Sequence, residues 1–536
     1  MGSATSPKRV LLLTNSEHGQ ANVFLATSYG LLTLEDEDVE VHFASFPPIK
    51  SLVSTTSNHA QADKPGARPI VFHAIEGIDM VSAWSRPEIV AEQNALKDQS
   101  IFWLINAIRR TLVLLKVTLP WTGPEFVQIM HSITAIIQDT QPNMIAVDPA
   151  FSPALTVLRQ TKAKFIVLTP NTIKDFAMPA QPNAEALWKY PCLGTTYPYP
   201  IPLLSIPHNT LLILLSLLVS LFDPHRRALT TYLAHHYHST PGSVNATTTK
   251  LTTLSDLALH AAKLNTKFLV ANLPEMELPL RIIPRHVVPC GPMLRPARPL
   301  GEVDADLQRW LLASPGGGSS KTVVVYINLG THVVFDGGMV GEMAGAVRVL
   351  LDAAARAAAY DDAKDGGGGG AHHKGGSAVI VERVLGEEVR KGVVKVVEWL
   401  EAEPTAVLAA GTVVCAVHHG GANSFLESVS AGVPQVVLPL WMDTYDFARR
   451  AELLGIGRWG NLIADRLCEA NEFGSRRLTY AQKARELAEL CKRSGGGRVI
   501  AARHVLAEID DGNDQLSTIG QKESDLLLDS NGNGHC

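Results

Sequence analysis

The sequence predicts an α/β protein of two doubly wound domains, each built on a parallel sheet. Three observations favour this class. Short apolar runs, typical of buried parallel strands, alternate with longer helical stretches in both halves of the chain. A proline-rich stretch, 289–299, separates the two halves and is predicted to be the hinge. The length of 536 residues exceeds the usual single-domain range and is enough to form two buried cores.

In the first half, the apolar run Arg9–Thr14 is predicted to be a strand, and a turn and a helix through Leu34 follow it. Further strands are predicted at Val39–Phe43, Pro142–Asp148, Lys164–Leu168 and Phe268–Ala271. Two apolar regions, Trp103–Ile137 and Leu203–Leu264, are predicted to be helical.

The second half repeats this alternation. Its predicted strands are Thr322–Leu329, Ala378–Val381, Val393–Val397, Val413–Val417 and Gln435–Leu438. We therefore place a first domain at 1–292, a linker at 293–320, a second domain at 321–478 and C-terminal helices at 479–509. The glycine-rich stretch 362–377 is expected to be a flexible insertion, and the polar tail 510–536 to be disordered.

Composition excludes several classes of protein. A net charge of -5 without a basic stripe argues against a nucleic-acid partner. The six cysteines are dispersed, without a Cys-x-x-Cys pair, which favours reduced thiols in the cytoplasm. The apolar run Val10–Leu13 is too short for a signal peptide. Leu211–Phe222 is shorter than the roughly 20 residues of a membrane span, so we expect a buried or partly exposed helix and no integral membrane insertion.

The stretch His419–Glu427, with the sequence His-Gly-Gly-Ala-Asn-Ser-Phe-Leu-Glu, carries the strongest chemical signal. It follows a predicted strand and opens a predicted helix, and this strand–turn–helix arrangement binds phosphate through free N–H groups and the positive end of the helix dipole. Glu427 shares a helix face with Asn423 and Ser424, where it could accept hydrogen bonds from sugar hydroxyls. The alternative is an ordinary βαβ unit whose glycines only pack.

These residues resemble the donor motif of the UDP-glycosyltransferases and their fungal relatives. The matching columns are His419, Gly421, Asn423, Ser424, Glu427, Gly432–Pro434, Pro439 and Asp443. The resemblance implies the GT-B architecture, in which two Rossmann-like domains face a cleft. The first domain would then bind the acceptor, and the second would bind the nucleotide sugar.

The resemblance also implies how the leaving diphosphate is stabilised. His419, the turn at Gly421, Ser424 and the turn Gly330–Thr331 would converge on it. A helix N-terminus with such donors can replace a metal ion, so no metal cofactor is expected. Asp304-Ala-Asp306 spells the metal-binding Asp-x-Asp of other glycosyltransferases, but acids at the start of a helix are expected for dipole reasons.

The catalytic base departs from the family pattern. Aligned on Gly19 and Asn22, the column that holds the family's basic His is occupied by Gln20, which cannot accept a proton near neutral pH. His18 lies in the same loop and is our candidate base, with Asp148 at the end of a strand as the acid that would orient it. The alternatives are a slow or substrate-assisted enzyme, or a His18 that only caps the loop.

The nucleotide side also departs from the pattern. Trp399 stands two residues further from His419 than the family's stacking Trp, so it either stacks on the uracil or is a core residue. Ala422 replaces a Trp common in plant relatives, and Thr444 replaces a Gln that follows Asp443. UDP stays the expected nucleotide, and the identity of the sugar is left open.

Taken together, the sequence predicts a cytoplasmic, metal-independent, inverting hexosyltransferase. The expected donor is UDP-glucose and the expected acceptor is a hydroxyl of a hydrophobic small molecule. The acceptor class rests on apolar segments around Trp103, Trp121, Trp188 and Leu203–Phe222, which could equally be core. A nucleotide-sugar-binding pseudoenzyme is the rival hypothesis, because of Gln20 and a short stretch after Gly457. An oxidoreductase would need Gly-x-Gly-x-x-Gly after the first strand, which is missing. The oligomeric state is left open.

Overall fold

The computed structural model describes residues 7–90, 117–238, 250–264, 266–313, 323–330, 337–361, 385–397, 399–440, 442–460 and 470–510. Several predicted features lie outside these ranges, namely Thr331, the insertion 362–377, the strand Ala378–Val381 and the tail beyond 510. The chain divides into two compact units, which are described in turn.

The first unit comprises Met1–Tyr190, Leu203–Pro296 and Ser494–Cys536. Its seven parallel strands are β1 (Lys8–Leu13), β2 (Val39–Ser45), β3 (Val71–Ala74), β4 (Met144–Val147), β5 (Phe165–Thr169), β6 (Phe268–Val270) and β7 (Val287–Pro289). They are ordered β3-β2-β1-β4-β5-β6-β7 in one sheet. The order reverses between β1 and β4, and this switch point is where open α/β sheets bind ligands, beyond the carboxyl ends of the strands.

The central strands of this sheet are buried on both faces, which explains their nearly continuous apolar sequences. The helices of this unit are α1 (His18–Thr33), α2 (Lys50–Asp63), α3 (Met80–Trp84), α4 (Gly123–Thr140), α5 (Ser152–Thr161), α6 (Ile173–Ala177), α7 (Glu185–Trp188), α8 (Ile206–Phe222), α9 (Pro224–His238) and α10 (Leu254–Leu264). Local sequence sets their ends. Thr122 and Glu125 form a capping box at the start of α4, and Gln141 closes that helix in the left-handed conformation.

Helix α8 departs from the usual pattern, because most of its leucines face solvent. The segment Leu203–Tyr237, which spans α8 and α9, is the one stretch of the described chain long and apolar enough to cross a membrane, by length and composition only. Little of its most apolar part is buried. The expectation of a partly exposed helix is thus met.

The second unit comprises Pro191–Pro202 and Ala297–Arg493. Its described strands are β8 (Val324–Asn328), β9 (Val413–His418), β10 (Gln435–Val437) and β11 (Gly457–Trp459), all parallel and ordered β11-β10-β9-β8. The loop Pro191–Pro202 is attached to this unit by Arg449, whose guanidinium donates to the carbonyl oxygens of Thr195 and Tyr197.

The helices of the second unit are α11 (Leu300–Val303), α12 (Ala305–Leu312), α13 (Gly337–Asp361), α14 (385–390), α15 (Pro404–Leu408), α16 (Ala422–Ala431), α17 (Thr444–Leu453) and α18 (Ala470–Arg493). A last helix, α19 (497–510), belongs to the first unit. The prediction of a strand at Val393–Val397 is wrong, because residues 391–397 form turns and irregular chain. The α/β class with two parallel sheets is confirmed.

Candidate functional site

In the second unit, the carboxyl ends of three neighbouring strands meet at one edge of the sheet. Asn328 at the end of β8 pairs with His418 at the end of β9, and His418 pairs with Val437 of β10. The turns that follow these strands therefore lie side by side. They contain four of the predicted donor residues, Gly330, His419, Gly421 and Asp443.

His418, which the sequence analysis overlooked, holds the turn after β9 in place. Its Nδ1 accepts from the backbone N–H of Gly420 at 3.1 Å. The other ring nitrogen must then carry the proton, and Nε2 donates to Gln435 Oε1 at 2.8 Å. Burial is the main reason that the pKa of His418 falls to about 4, which keeps the ring neutral at ordinary pH. Gln435 Nε2 in turn donates to the Phe425 carbonyl on α16, so one chain of hydrogen bonds links β9, β10 and α16.

The side chain of the predicted donor residue His419 lies against two glycines. A Cβ atom placed on Gly330 or on Gly421 would overlap the His419 ring. Gly330 also has a φ of +78°, a left-handed backbone that favours glycine. Its N–H donates to Asn328 Oδ1 at 3.0 Å, which fixes the turn after β8. The structure thus brings Gly330, His419 and Gly421 together, and the glycines make room for the imidazole.

The N-terminus of α16 opens directly from this turn. Gly420 has a φ of +89°, and a Cβ there would lie 2.8 Å from the Thr444 carbonyl oxygen. Gly421 is the N-cap and contributes no side-chain cap, so the N–H groups of the first helical turn remain directed at the turn. Asn423, Ser424 and Glu427 are half-buried on this helix. Such a helix start attracts an anion.

Glu427 also reaches toward β8. Its charge adds to burial in raising the pKa of the Tyr326 hydroxyl, which in turn accepts a hydrogen bond from Asn328. The carboxylate is therefore within electrostatic range of β8. The other predicted acid, Asp443, is the half-buried N-cap residue of α17, after β10.

Trp399 is 67% exposed and lies in irregular chain, so the interpretation as a core residue is wrong. Its stacking role stays a prediction. Asp304 is the N-cap of α12 and accepts from the Leu307 N–H at 2.7 Å, while Asp306 pairs with Arg309. The helix-start interpretation of Asp304 is therefore confirmed. Within the described ranges, no group of three or more His, Cys, Asp or Glu side chains is arranged to hold a metal ion.

In the first unit, Asp148 lies at the switch point between β1 and β4, and is fully buried. Its carboxylate accepts from Asn15 Nδ2 at 2.6 Å, from the Thr14 hydroxyl at 3.3 Å and from the Ala150 N–H at 2.8 Å. Burial outweighs these bonds and raises the pKa of Asp148 to about 7. The residue that positions this carboxyl is therefore Asn15, and the role of Asp148 as a partner of His18 stays a prediction.

The loop after β1 is organised by its own acid. Both carboxylate oxygens of Glu17 accept backbone N–H groups, from Gly19 at 2.7 Å and Gln20 at 2.8 Å, which caps α1. His18 is the first residue of α1 and is half-buried. Asn15 connects Asp148 to the loop after β1, because its Oδ1 also accepts from the Glu17 N–H at 2.6 Å.

Gln20, in the catalytic column of the family, points toward the end of β5. Its Nε2 donates to Asn171 Oδ1 at 3.3 Å, and the same oxygen accepts from Thr169 at 2.8 Å. Gln20 Oε1 is shielded from solvent, and no described residue donates to it. Trp121, one candidate for the acceptor side, is instead fully buried against Phe126 and Phe151 and belongs to the core.

Comparison with known proteins identifies the family of the chain. A family model described as UDP-glucoronosyl and UDP-glucosyl transferase matches residues 385–463, the part that contains β9, α16, β10 and α17. The chain is also 30% identical over 529 residues to a glycosyltransferase named sdnJ from Sordaria araneosa, covering 92% of this chain and 97% of that protein. The chain belongs to the UDP-glycosyltransferase family.

Two further proteins are similar to this glycosyltransferase. A human 2-hydroxyacylsphingosine 1-beta-galactosyltransferase is 26% identical over 227 residues, which cover 41% of this chain and 35% of that protein. The structure of a UDP-glucosyltransferase from Polygonum tinctorium, described as capable of glucosylating indoxyl, superposes with a TM-score of 0.56 at 15% identity and covers 95% of this chain and 99% of that one. The latter likeness shows the fold, and confirms the GT-B type with its two Rossmann-like domains.

For this UDP-glycosyltransferase, the residues that sequence analysis missed are those that hold others in place. His418 was missed because only the adjacent His419 matches the donor motif, although its position at the end of an apolar strand could have indicated a role. Asn15 also follows the end of a predicted strand, where polar residues approach ligands. Its partner Asp148 could not be named without the order of the strands, since 133 positions separate them.

Proposed function

We propose that this UDP-glycosyltransferase transfers a hexose, with inversion, from a UDP-sugar to a hydroxyl group of a hydrophobic small molecule. UDP-glucose is the donor that we propose first. The observation that carries the donor side is the convergence of Gly330, His419 and the start of α16 at one edge of the sheet. The human relative named for a 2-hydroxyacylsphingosine, and the plant enzyme described as capable of glucosylating indoxyl, support the acceptor class.

In the proposed reaction, the acceptor oxygen forms a bond to the anomeric carbon while the bond from that carbon to the diphosphate oxygen breaks. Negative charge grows on the departing UDP, and the first-turn N–H groups of α16 and the His419 side chain would stabilise it. Glu427 and Asp443 would accept hydrogen bonds from hydroxyl groups of the donor. Because the first-turn N–H groups of α16 and His419 would supply the positive field, we propose that no metal ion is required.

The acceptor proton must go to a base in the first unit, and we propose His18 for this role. His18 starts α1, and the Asp148–Asn15–Glu17 network determines the shape of the loop around it. Gln20 Oε1, shielded and without a donor among the described residues, would accept a hydrogen bond from a donor group of the acceptor molecule other than the reacting hydroxyl, whose only proton goes to His18. In this proposal Gln20 orients the acceptor, and His18 removes its proton.

We further propose that the enzyme acts in the cytoplasm, on the ground that its six cysteines are dispersed along the chain. An oxidising compartment would favour paired cysteines at disulfide spacing.

The proposal is tested by release of UDP from UDP-glucose over a panel of hydrophobic phenols, sterols and ceramides, with UDP-galactose in parallel. Steady, acceptor-dependent release with a β-linked glycosylated product from the α-linked donor is the expected result. Binding of UDP-glucose without release of UDP for any acceptor would contradict the proposal and identify a nucleotide-sugar-binding protein. An α-linked product would contradict inversion.

A further inference from the structure

Helix α8 buries one of its polar residues and exposes most of its leucines, the reverse of the usual helix on the surface of a soluble domain. Asn209 is fully buried and donates to the Tyr190 carbonyl oxygen at 2.9 Å. On the opposite side, leucines with helical spacing are exposed at 211, 214, 218 and 221. Because only Asn209 and Leu212 of α8 are buried, the attachment of this helix to its domain does not account for its leucine content.

The exposed apolar residues of α8 and of the turn before it form a surface that we call the leucine face. It consists of Leu203, Leu204, Leu211, Leu214, Leu217, Leu218, Leu221 and Phe222. Leu204 is 96% exposed in the turn before α8, and Leu221 is 67% exposed near its end. Single exposed leucines are common, but contiguous apolar patches mark a surface that binds something.

The charged residues near the leucine face indicate which kind of surface it binds. From Leu203 to His238 the sequence contains one acidic residue, Asp223, which is buried and caps α9 through the N–H of Arg226. Arg227 is exposed, and its guanidinium carbon lies 5.1 Å from the centre of the Phe222 ring. An apolar face bordered by an exposed arginine, on a segment without exposed acids, matches the interface of an anionic lipid bilayer.

We propose that the leucine face docks this glycosyltransferase on the surface of an anionic membrane. The helix lies in the plane of the lipid headgroups, with Leu204, Leu218 and Leu221 inserted among the acyl chains and Arg227 at the level of the phosphates. This inference goes beyond the proposed reaction and does not depend on it.

The structure favours docking over spanning. The exposed leucines of this segment lie on α8 and the turn before it, and α8, with 17 residues at about 1.5 Å each, is shorter than the roughly 30 Å hydrocarbon layer. The following helix α9 is part of the domain, because Leu229 and Leu233 lie in the core and Arg226 forms a bidentate ion pair with Asp256. A membrane-spanning arrangement of the whole segment would remove those contacts.

The test is cosedimentation of the purified full-length protein with vesicles of phosphatidylcholine that contain about one quarter phosphatidylserine. The variant Leu214→Ser/Leu218→Ser/Leu221→Ser should lower the partition coefficient about 100-fold or more, since each leucine loses most of its buried apolar surface. The control Leu259→Ser/Leu312→Ser changes two leucines that are also exposed but lie outside the leucine face, and should bind as the wild type does. Circular dichroism verifies that all three proteins are folded.

A second variant tests the charge. Arg227→Glu should weaken binding to the phosphatidylserine vesicles and have little effect on vesicles of phosphatidylcholine alone. Failure of the folded wild type to cosediment would overturn the proposal, and so would equal binding by the wild type and the triple variant. Light scattering that reports a wild-type dimer, converted to a monomer by the triple variant without any vesicle binding, would assign the leucine face to a second copy instead.

Discussion

Substitution of Gly330 by alanine tests whether the turn after β8 and His419 form one site. At a φ of +78°, an alanine costs about 1–2 kcal/mol for the left-handed backbone alone. Its Cβ would in addition overlap the His419 ring, so either the ring or the turn must move. A displaced His419 would lose the charge-assisted hydrogen bond to the diphosphate that we propose for it, which is worth about 1.5–3 kcal/mol. We expect the Kd for UDP to rise about 10- to 100-fold.

Gly411 provides a matched control in the same unit. It precedes β9, has a φ of +80°, and no atom lies within 4 Å of a Cβ placed there. Gly411→Ala therefore imposes the same backbone strain without touching His419. Isothermal titration calorimetry should find UDP affinity unchanged in Gly411→Ala, while thermal melts should show that both variants lose comparable stability. Wild-type UDP affinity in Gly330→Ala, or an equal loss in Gly411→Ala, would refute the argument.

Three further predictions concern the base, the buried acid and the metal. His18→Ala should lower turnover about 10²–10⁴-fold and leave UDP binding intact, whereas a harmless His18→Ala together with a crippling Gln20→Ala would show that another group accepts the proton. Burial raises the pKa of Asp148 to about 7, so the folded protein holds a proton that the unfolded chain loses near pH 4, and Asp148 should reduce the unfolding free energy by up to about 4 kcal/mol as pH rises from 4 to 7. Chemical denaturation across that range should find this decline absent in Asp148→Asn; an identical pH slope would contradict the raised pKa. EDTA should leave transfer intact, and rescue of a lost activity by magnesium or manganese would contradict a metal-independent reaction.

Features that are local in sequence could be predicted, and features that depend on distant packing could not. The turn and helix at 419–427 are contiguous, so the order of residue types was enough to propose an anion site there. Met144–Val147 was identified as a strand because a buried parallel strand has a continuous apolar sequence. The apolar sequence of the valines at 393–397 led to the wrong prediction of a strand. Val396 and Val397 are exposed, and they pair with no strand in the described structure.

The leucine face shows the limit of composition as a guide. An apolar sequence predicts that α8 exists, and it does not reveal which side of the helix meets the domain. That side is chosen by Asn209 and Thr210, whose side chains bond to the Tyr190 and Leu187 carbonyl oxygens. The link between Asn15 and Asp148 likewise depends on β1 and β4 being neighbours, which only the sheet order establishes.

The central claim is that His419 and Glu427, at the turn and first helical turns after β9, form the donor site of a UDP-glycosyltransferase. Calorimetric titration of UDP-glucose into His419→Ala and Glu427→Ala tests it most directly, with His131→Ala on the exposed surface of α4 as a control. Each donor-site variant should lose about 1–3 kcal/mol of binding free energy, while the control should bind as the wild type does. Unchanged affinity in both donor-site variants would contradict the claim.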